Sequence, residues 1–301
     1  CFEHDLVRSS VYDSIPQGQR CELHLRAGEA LEAVHPDQVE KLAQHFELGG
    51  TSKKAIGYTL QAADHAQSLH DYGTAIGRYR TALASLSDPA TRWNVLAHLE
   101  EALGVLGRRE EQGAVLDEML ALAEELRDPL LRAQTRRRQG WLEVLAGEPK
   151  PALTLLDEAG RLARTAGHKN LLANCLVSAA RAWWNIGNTS RCQAATEEAR
   201  SLFEETDDQK GLSRVFNMLG NIHLGHTGDF AEALACFEKD RRICWDLGDR
   251  YREACALANI GITYHVLGSH HRSEEALAQA WDIIEQVGDR LWQGIIRLWQ
   301  A

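Results

Sequence analysis

The chain has 301 residues, 44% of them hydrophobic and 25% charged, with a formal net charge of −10. This composition excludes a disordered chain, and the acidic balance argues against a sequence-independent grip on nucleic acid, which needs a surplus of Lys and Arg facing phosphates. Leu and Ala number 40 each against 12 each of Val and Ile, and Pro occurs 6 times, never after Pro151, so a β-rich fold is disfavoured and an all-α chain is expected.

The first fifty residues have a character of their own: Phe2-Glu3-His4-Asp5-Leu6-Val7-Arg8-Ser9-Ser10-Val11-Tyr12, then Arg20 and Leu23-His24, then Leu42-Ala43-Gln44-His45-Phe46. From there a period takes over. Glycines fall at Gly107, Gly147, Gly187, Gly228 and Gly268, in steps of 40, 40, 41 and 40 residues. A second series, offset by half a period, runs Arg127-Asp128, Gly167-His168, Asp207-Asp208, Gly248-Asp249 and Gly288-Asp289. Two turn markers per period, with helical pattern between them, describe a repeated helix-turn-helix unit. Asp88-Pro89, Asp128-Pro129 and Glu148-Pro149 place a carboxylate before a proline, which is tolerated at a first helical position, so helices are expected to start there.

Small residues precede the glycine markers at Gly140, Ala180, Gly220 and Gly261, and the second helix follows with small and large residues in turn, as in Ala75, Tyr79 and Ala82 or Ala233 and Phe237. Small side chains let two helices approach, and the bulky one fills the space between repeats. The pair at 92–127 departs from this pattern, with Glu100 at a small position and Gln112-Gly113 near the expected Ala. On these residues the stretch 52–301 resembles the tetratricopeptide repeat (TPR) family, in the longer-helix variant seen in bacterial regulators and in cell-polarity and motor-adaptor proteins. The resemblance implies a right-handed TPR-like α-solenoid of antiparallel helix pairs with about 40-residue repeats. Six pairs and the first helix of another are expected.

The opening fifty residues resemble the segment that joins the winged-helix end of a STAND-class signal-transduction NTPase to its TPR sensor region, an architecture of large bacterial transcriptional activators and multidomain cyclases. That resemblance implies a winged-helix tail at 1–15 and a helical junction at 16–51. Asp289 to Ala301 reads as a first repeat helix, and Ile295, Ile296, Leu298 and Trp299 are the opposite of a polar cap, so the chain is expected to be part of a larger protein.

No phosphate loop of the G-x-x-x-x-G-K-[ST] type and no catalytic constellation occurs, so neither catalysis nor a cofactor is expected of this chain. His265 with His270-His271, and His223 with His226, read as core or surface histidines rather than a metal site, with His223 on the core face. Glu100-Glu101 and Glu204-Glu205 are adjacent and read as solvated. Trp183, Trp245 and Trp281 fall on core-like positions, while Trp141 and Trp184 both lie on the opposite face of their helices. The seven cysteines (Cys1, Cys21, Cys175, Cys192, Cys236, Cys244, Cys255) form no tight pair and read as reduced thiols, mostly in the core. No apolar run approaches the roughly 18 residues of a membrane span, and no leader opens the chain, so a soluble, cytoplasmic protein without membrane contact is expected.

In TPR proteins the first helix of each pair lines the concave surface. Projecting these helices places Asn174, Val177, Arg181, Trp184 and Asn185 around Ala180 on the groove side, and Leu176, Ala179 and Trp183 with Ala180 on the core side. Around Gly220 the groove set is Arg214, Asn217, Asn221 and Leu224, with Asn259 of the next first helix one step aside. Around Gly140, Arg137 and Trp141 face the groove, but Arg136, Gln139 and Glu143 then occupy core offsets, so the register of 130–146 stays open, as does that of 92–106. Around Gly261 the set Cys255, Ala258, Ile262 and His265 is largely apolar, an apolar subsite or a surface for following repeats to cover. Asn offers a donor and an acceptor to an extended main chain, and Arg forks onto a carboxylate. The expected role is a non-catalytic, effector-sensing interaction region that binds a peptide or protein partner, or a small-molecule effector, and signals to an upstream winged-helix/NTPase module. A constitutive adaptor is the alternative, and an enzyme a remote one.

Overall fold

The computed structural model describes residues 5–50, 52–287 and 290–300. Among them every regular element is helical: sixteen α-helices, one π-helical turn and no strand. Residues 1–4, including the start of the opening motif, and the expected turn at Gly288-Asp289 lie outside the described residues. The helices fall into two compact units, Cys1–Asp128 and Pro129–Ala301. The first holds α1 (Asp5–Ser14), α2 (Gln17–Val34), α3 (Val39–Leu48), α4 (Ser52–Ser68), α5 (Tyr72–Ser85), α6 (Pro89–Val105) and α7 (Arg109–Glu125). The second holds α8 (Pro129–Ala146), α9 (Pro149–Thr165), α10 (Lys169–Ile186), α11 (Thr189–Thr206), α12 (Gln209–Ile222), α13 (Phe230–Asp246), α14 (Arg250–Val266), α15 (His270–Val287) and α16 (Arg290–Gln300).

One short device makes most of the turns. At Gly187 (φ 78°) the chain turns left-handed, which glycine does without a Cβ clash. Asn188 then donates its N–H to the Trp183 carbonyl at 2.9 Å, and its side-chain oxygen accepts from the Arg191 N–H at 3.2 Å. One residue closes α10 with its backbone and opens α11 with its side chain. Asp208 after Asp207 (φ 49°), Asp249 after Gly248 (φ 69°) and Asp71 after His70 (φ 62°) repeat the arrangement. Helices do begin at Pro89, Pro129 and Pro149, but the caps differ: Asp88 accepts from the Thr91 N–H at 2.8 Å, whereas Glu148 makes no side-chain cap.

The small positions are close approaches. A Cβ at Gly220 would lie 2.5 Å from the Phe237 ring, and at Gly140 or Gly261 it would lie 2.7 Å from Leu156 or Leu277. Phe237, Ala180 and Ala233 are fully buried, as are Ala75 and, within 2%, Tyr79 and Ala82.

Three expectations fail, each for a local reason. Glu100 is not solvated: it is 5% exposed and accepts a 2.6 Å hydrogen bond from the side-chain amide of Gln112, itself 3% exposed. The departure from small residues in the α6–α7 pair is thus a matched polar pair in place of a small–small contact. Trp245 is 61% exposed, because the buried stripe of α13 runs Ala233, Cys236, Phe237, Asp240 and Cys244, and one further residue rotates it about 100° away. His223 leaves the core because the chain widens after Ile222 into a π turn, His223–Thr227, ending at Gly228 (φ 68°). A π turn accommodates an extra residue, and it falls within the one step of the glycine series that measures 41.

Candidate functional site

Within the second unit successive pairs pack in chain order, α9 on α10, α11 on α12 and α13 on α14, and the first helix α10 in addition touches both α8 and α12, as α14 touches α16. The register of α8 is settled by burial of Ala133, Thr135, Gly140 and Val144, with Arg136 turned aside to hold Gln139 (3.0 Å) and Glu158 of α9 (3.2 Å).

The eight residues singled out from the sequence do not share one fate. Asn174 is used at both ends: its amide donates to the Asn170 carbonyl at 2.7 Å, and its oxygen accepts from the Arg214 guanidinium at 2.7 Å, tying α10 to α12. Arg214 also donates to the Lys210 carbonyl at 3.4 Å, and burial, then the nearby charge of Arg252, holds its pKa below the usual arginine range. Asn217 donates to Asp240 at 3.2 Å, and Asn221 donates to the Asn217 carbonyl at 2.8 Å and to its side-chain oxygen at 3.3 Å, while its own side-chain oxygen accepts from no described residue. Asn259 is 9% exposed and so nearly closed off. Trp184 is half-buried, its ring edge-on to His226 of the π turn at 4.7 Å. Asn185 is exposed. Arg181 is half-buried and makes no hydrogen bond or ion pair to any described residue, and burial holds its pKa down.

Behind this row lies a polar cluster that the sequence reading missed. Asp240 of α13 is 1% exposed and accepts from the Ser213 hydroxyl at 2.5 Å, from Asn217 and from the Cys244 thiol at 3.4 Å, with Arg252 at 4.0 Å. Arg252 in turn donates to Ser213 at 3.2 Å, so α12, α13 and α14 meet in one network. Burial pushes the Asp240 carboxyl up, and the Ser213 hydroxyl and Arg252 pull it back. The available signal was a lone Asp on the stripe of Ala233, Phe237 and Cys244. His226 was legible only as a histidine; its contact with Trp184 depends on the π turn.

Elsewhere the chemistry is sparse. Among the described residues no group of three or more His, Cys, Asp or Glu side chains could hold a metal ion. His265 packs edge-on against Trp299 of α16 at 5.3 Å, so that end of α14 is covered from within the chain. A recess of about 230 Å³ between α9, α10 and α11, lined by Leu156, Gly160, Cys175 and Trp183, uses the other face of α10 and is smaller than ordinary ligand pockets. No helix among the described residues is long and apolar enough to cross a membrane.

No protein-family model and no curated protein sequence matches the chain. Solved structures do. A STAND protein with a tetratricopeptide repeat sensor from Pyrococcus horikoshii is 14% identical with a TM-score of 0.61, over 99% of this chain and 55% of that one. A tetratricopeptide repeat protein from Parabacteroides merdae is 13% identical with a TM-score of 0.64, over 94% of this chain and all of that one. A Rap protein complexed with competence and sporulation factor is 13% identical with a TM-score of 0.63, over 98% of this chain and 89% of that one. The chain therefore has the fold of tetratricopeptide repeat proteins, an all-α helical repeat.

Proposed function

We propose that the chain is a non-catalytic interaction region whose first-helix row in the second unit, α10, α12 and α14, captures a peptide or protein partner, and that occupancy is passed to an upstream signalling module of the same polypeptide. The observation that carries the reading is the division of labour along that row. Asn174, Arg214 and Asn217 hold the helices in register, while Arg181, Asn185 and the Asn221 oxygen remain available for a ligand. The likeness to a STAND protein with a repeat sensor and to a Rap protein bound to its factor supports a sensing role. Mechanistically, a ligand bridging α10 to α12 favours whichever spacing of those helices it fits, a population shift. Such a role needs no cofactor in this chain.

The test is site-specific photo-cross-linking in the source cells. A benzophenone side chain at Val177 or Asn221 is expected to trap a discrete partner, and one at Glu197 on α11 is not. Cross-links from α11 alone, or none from the first helices, would overturn the assignment.

A further inference from the structure

The recess between α9, α10 and α11 lies on the face of α10 away from the proposed groove. Its walls are apolar, with Leu156 of α9, Leu172, Leu176 and Trp183 of α10 and Ala195 of α11, and Gly160 of α9 lines it as well. Gly160 is not explained by packing. Gly140, Gly220 and Gly261 are required by close approaches, but a Cβ at Gly160 would meet Leu172 at 3.7 Å and Cys175 at 3.9 Å, which is ordinary contact. Its backbone is helical, where glycine is less stable than alanine. The repeat makes the contrast plain. In α9, Gly160 follows the buried residues Ala152, Leu156 and Ala159, and the same spacing of three buried residues recurs in α5, α7, α11, α13 and α15, as at Cys192, Thr196 and Ala199. One step further along, those five helices carry Leu83, Leu120, Arg200, Arg241 and Trp281, each large and half-buried. Among the six, α9 alone has no side chain at that place, and the recess stands beside it.

Size and charge then define an occupant. A cavity of about 150 Å³ takes benzene, so the volume of about 230 Å³ found here takes roughly nine carbon atoms. The charged residues at the recess are Arg161, Arg164 and Asp157, two cations to one anion. Arg161 meets Asp157 at 3.1 Å and Arg164 meets Glu198 at 2.8 Å, but all four side chains are exposed. Exposed pairs are weak, so either guanidinium can turn its fork to an incoming carboxylate. We propose that the recess binds a small apolar carboxylate, its hydrocarbon part against Gly160, Leu172 and Trp183 and its carboxylate on Arg161 or Arg164. A sugar or nucleotide would set hydroxyls or phosphates against leucines, where they lose hydrogen bonds to water and gain none. The site shares no residue with the groove reading and stands or falls separately from it.

Cinnamate matches the recess in size and charge and serves as the probe. Titrated into the isotope-labelled full chain, it should shift the amide signals of Leu156, Gly160, Leu172 and Trp183 and bind at least about fivefold more tightly than cinnamyl alcohol, which lacks the charge. Acetate, which lacks the apolar part, should not bind. Gly160→Leu supplies the side chain found in α5 and α7 and should weaken cinnamate at least about tenfold by filling the space. Gly160→Ala, whose methyl fits, keeps the test sound if the leucine disturbs packing, and should weaken cinnamate about twofold to threefold with helicity intact. Arg161→Gln with Arg164→Gln should bring cinnamate down to the level of the alcohol. Cinnamate that binds the parent and both Gly160 variants equally, that shifts no signal on α9, α10 or α11, or that binds no better than the alcohol would overturn the proposal.

Discussion

Gly220→Ala tests how α12 is seated, and with it Asn217 and Asn221 on either side. In a helix interior, Gly→Ala ordinarily gains about 1 kcal/mol. Here the new Cβ would lie 2.5, 2.7 and 2.8 Å from three atoms of the Phe237 ring, where ordinary contact begins at 3.4 Å, so the ring must retreat by about 1 Å. Phe237 is fully buried against Ala233, Ile260 and Ala276 and has nowhere to go. Overpacking costs about 1–3 kcal/mol, and three simultaneous clashes put this case at the upper end, leaving a net loss of about 1–2 kcal/mol after the propensity gain. The matched control is Gly160→Ala on α9 in the same unit, where the nearest atoms stand at 3.7 and 3.9 Å and the methyl fits; it should gain about 1 kcal/mol. Urea unfolding followed by circular dichroism reads both. If Gly220→Ala is as stable as the parent while Gly160→Ala is raised, the close approach of α12 to α13 is wrong.

The other predictions concern buried polar groups. Gln112→Ala removes the 2.6 Å bond to Glu100 in the first unit and should cost about 1–3 kcal/mol in the same urea assay, while Glu100→Ala with Gln112→Ala should cost less than the two single changes added together, because they share that contact; strict additivity would refute the pairing. Burial raises the folded-state pKa of Asp240 above its unfolded value, so the ionised group costs stability at neutral pH, and that cost is relieved as pH falls through the folded pKa toward the unfolded one. The parent should therefore gain on Asp240→Asn as pH drops from about 7 toward 4, and a constant difference in urea midpoint would contradict this. In the first unit, His24 shares hydrogen bonds with Tyr12 (2.8 Å) and His45 (3.1 Å), and burial, then His45, then Arg20, lowers its pKa. Its contribution is complete above the unfolded value near 6.5 and is lost as pH falls below it. A proton-NMR titration should find the ring titrating below 6.5, and hydrogen exchange should show α1–α3 opening first under mild acid.

Much of the fold was legible because each turn needs a special residue. A left-handed turn favours Gly, and every described marker of the two series, from Gly107 to Gly268 and from Arg127 to Gly248, has a positive φ; Asn or Asp then caps the next helix with its side chain after Gly187, Asp207, Gly228 and Gly248. Gly220 against Phe237 was legible for the same reason, since only a small residue permits the contact. The failures lie where chemistry depends on a partner far along the chain. Glu100 looks like a violated small position until Gln112, twelve residues away, is placed opposite it. Asp240 hides in the charged run Glu238-Lys239-Asp240-Arg241-Arg242, and only the buried stripe separates it from its neighbours. The groove offsets found Arg181 and Asn174 alike. Nothing local distinguishes the one that is tied to Arg214 from the one left without an anion.

Amide NMR mapping tests the first-helix row most directly. Titrating the partner trapped by cross-linking from Val177 or Asn221 into the isotope-labelled chain should shift signals of Arg181, Asn185 and Asn221 and of their neighbours on α10 and α12, leaving α9, α11 and α13 unmoved. Shifts centred on the second helices, or in the recess between α9 and α11, would contradict the account.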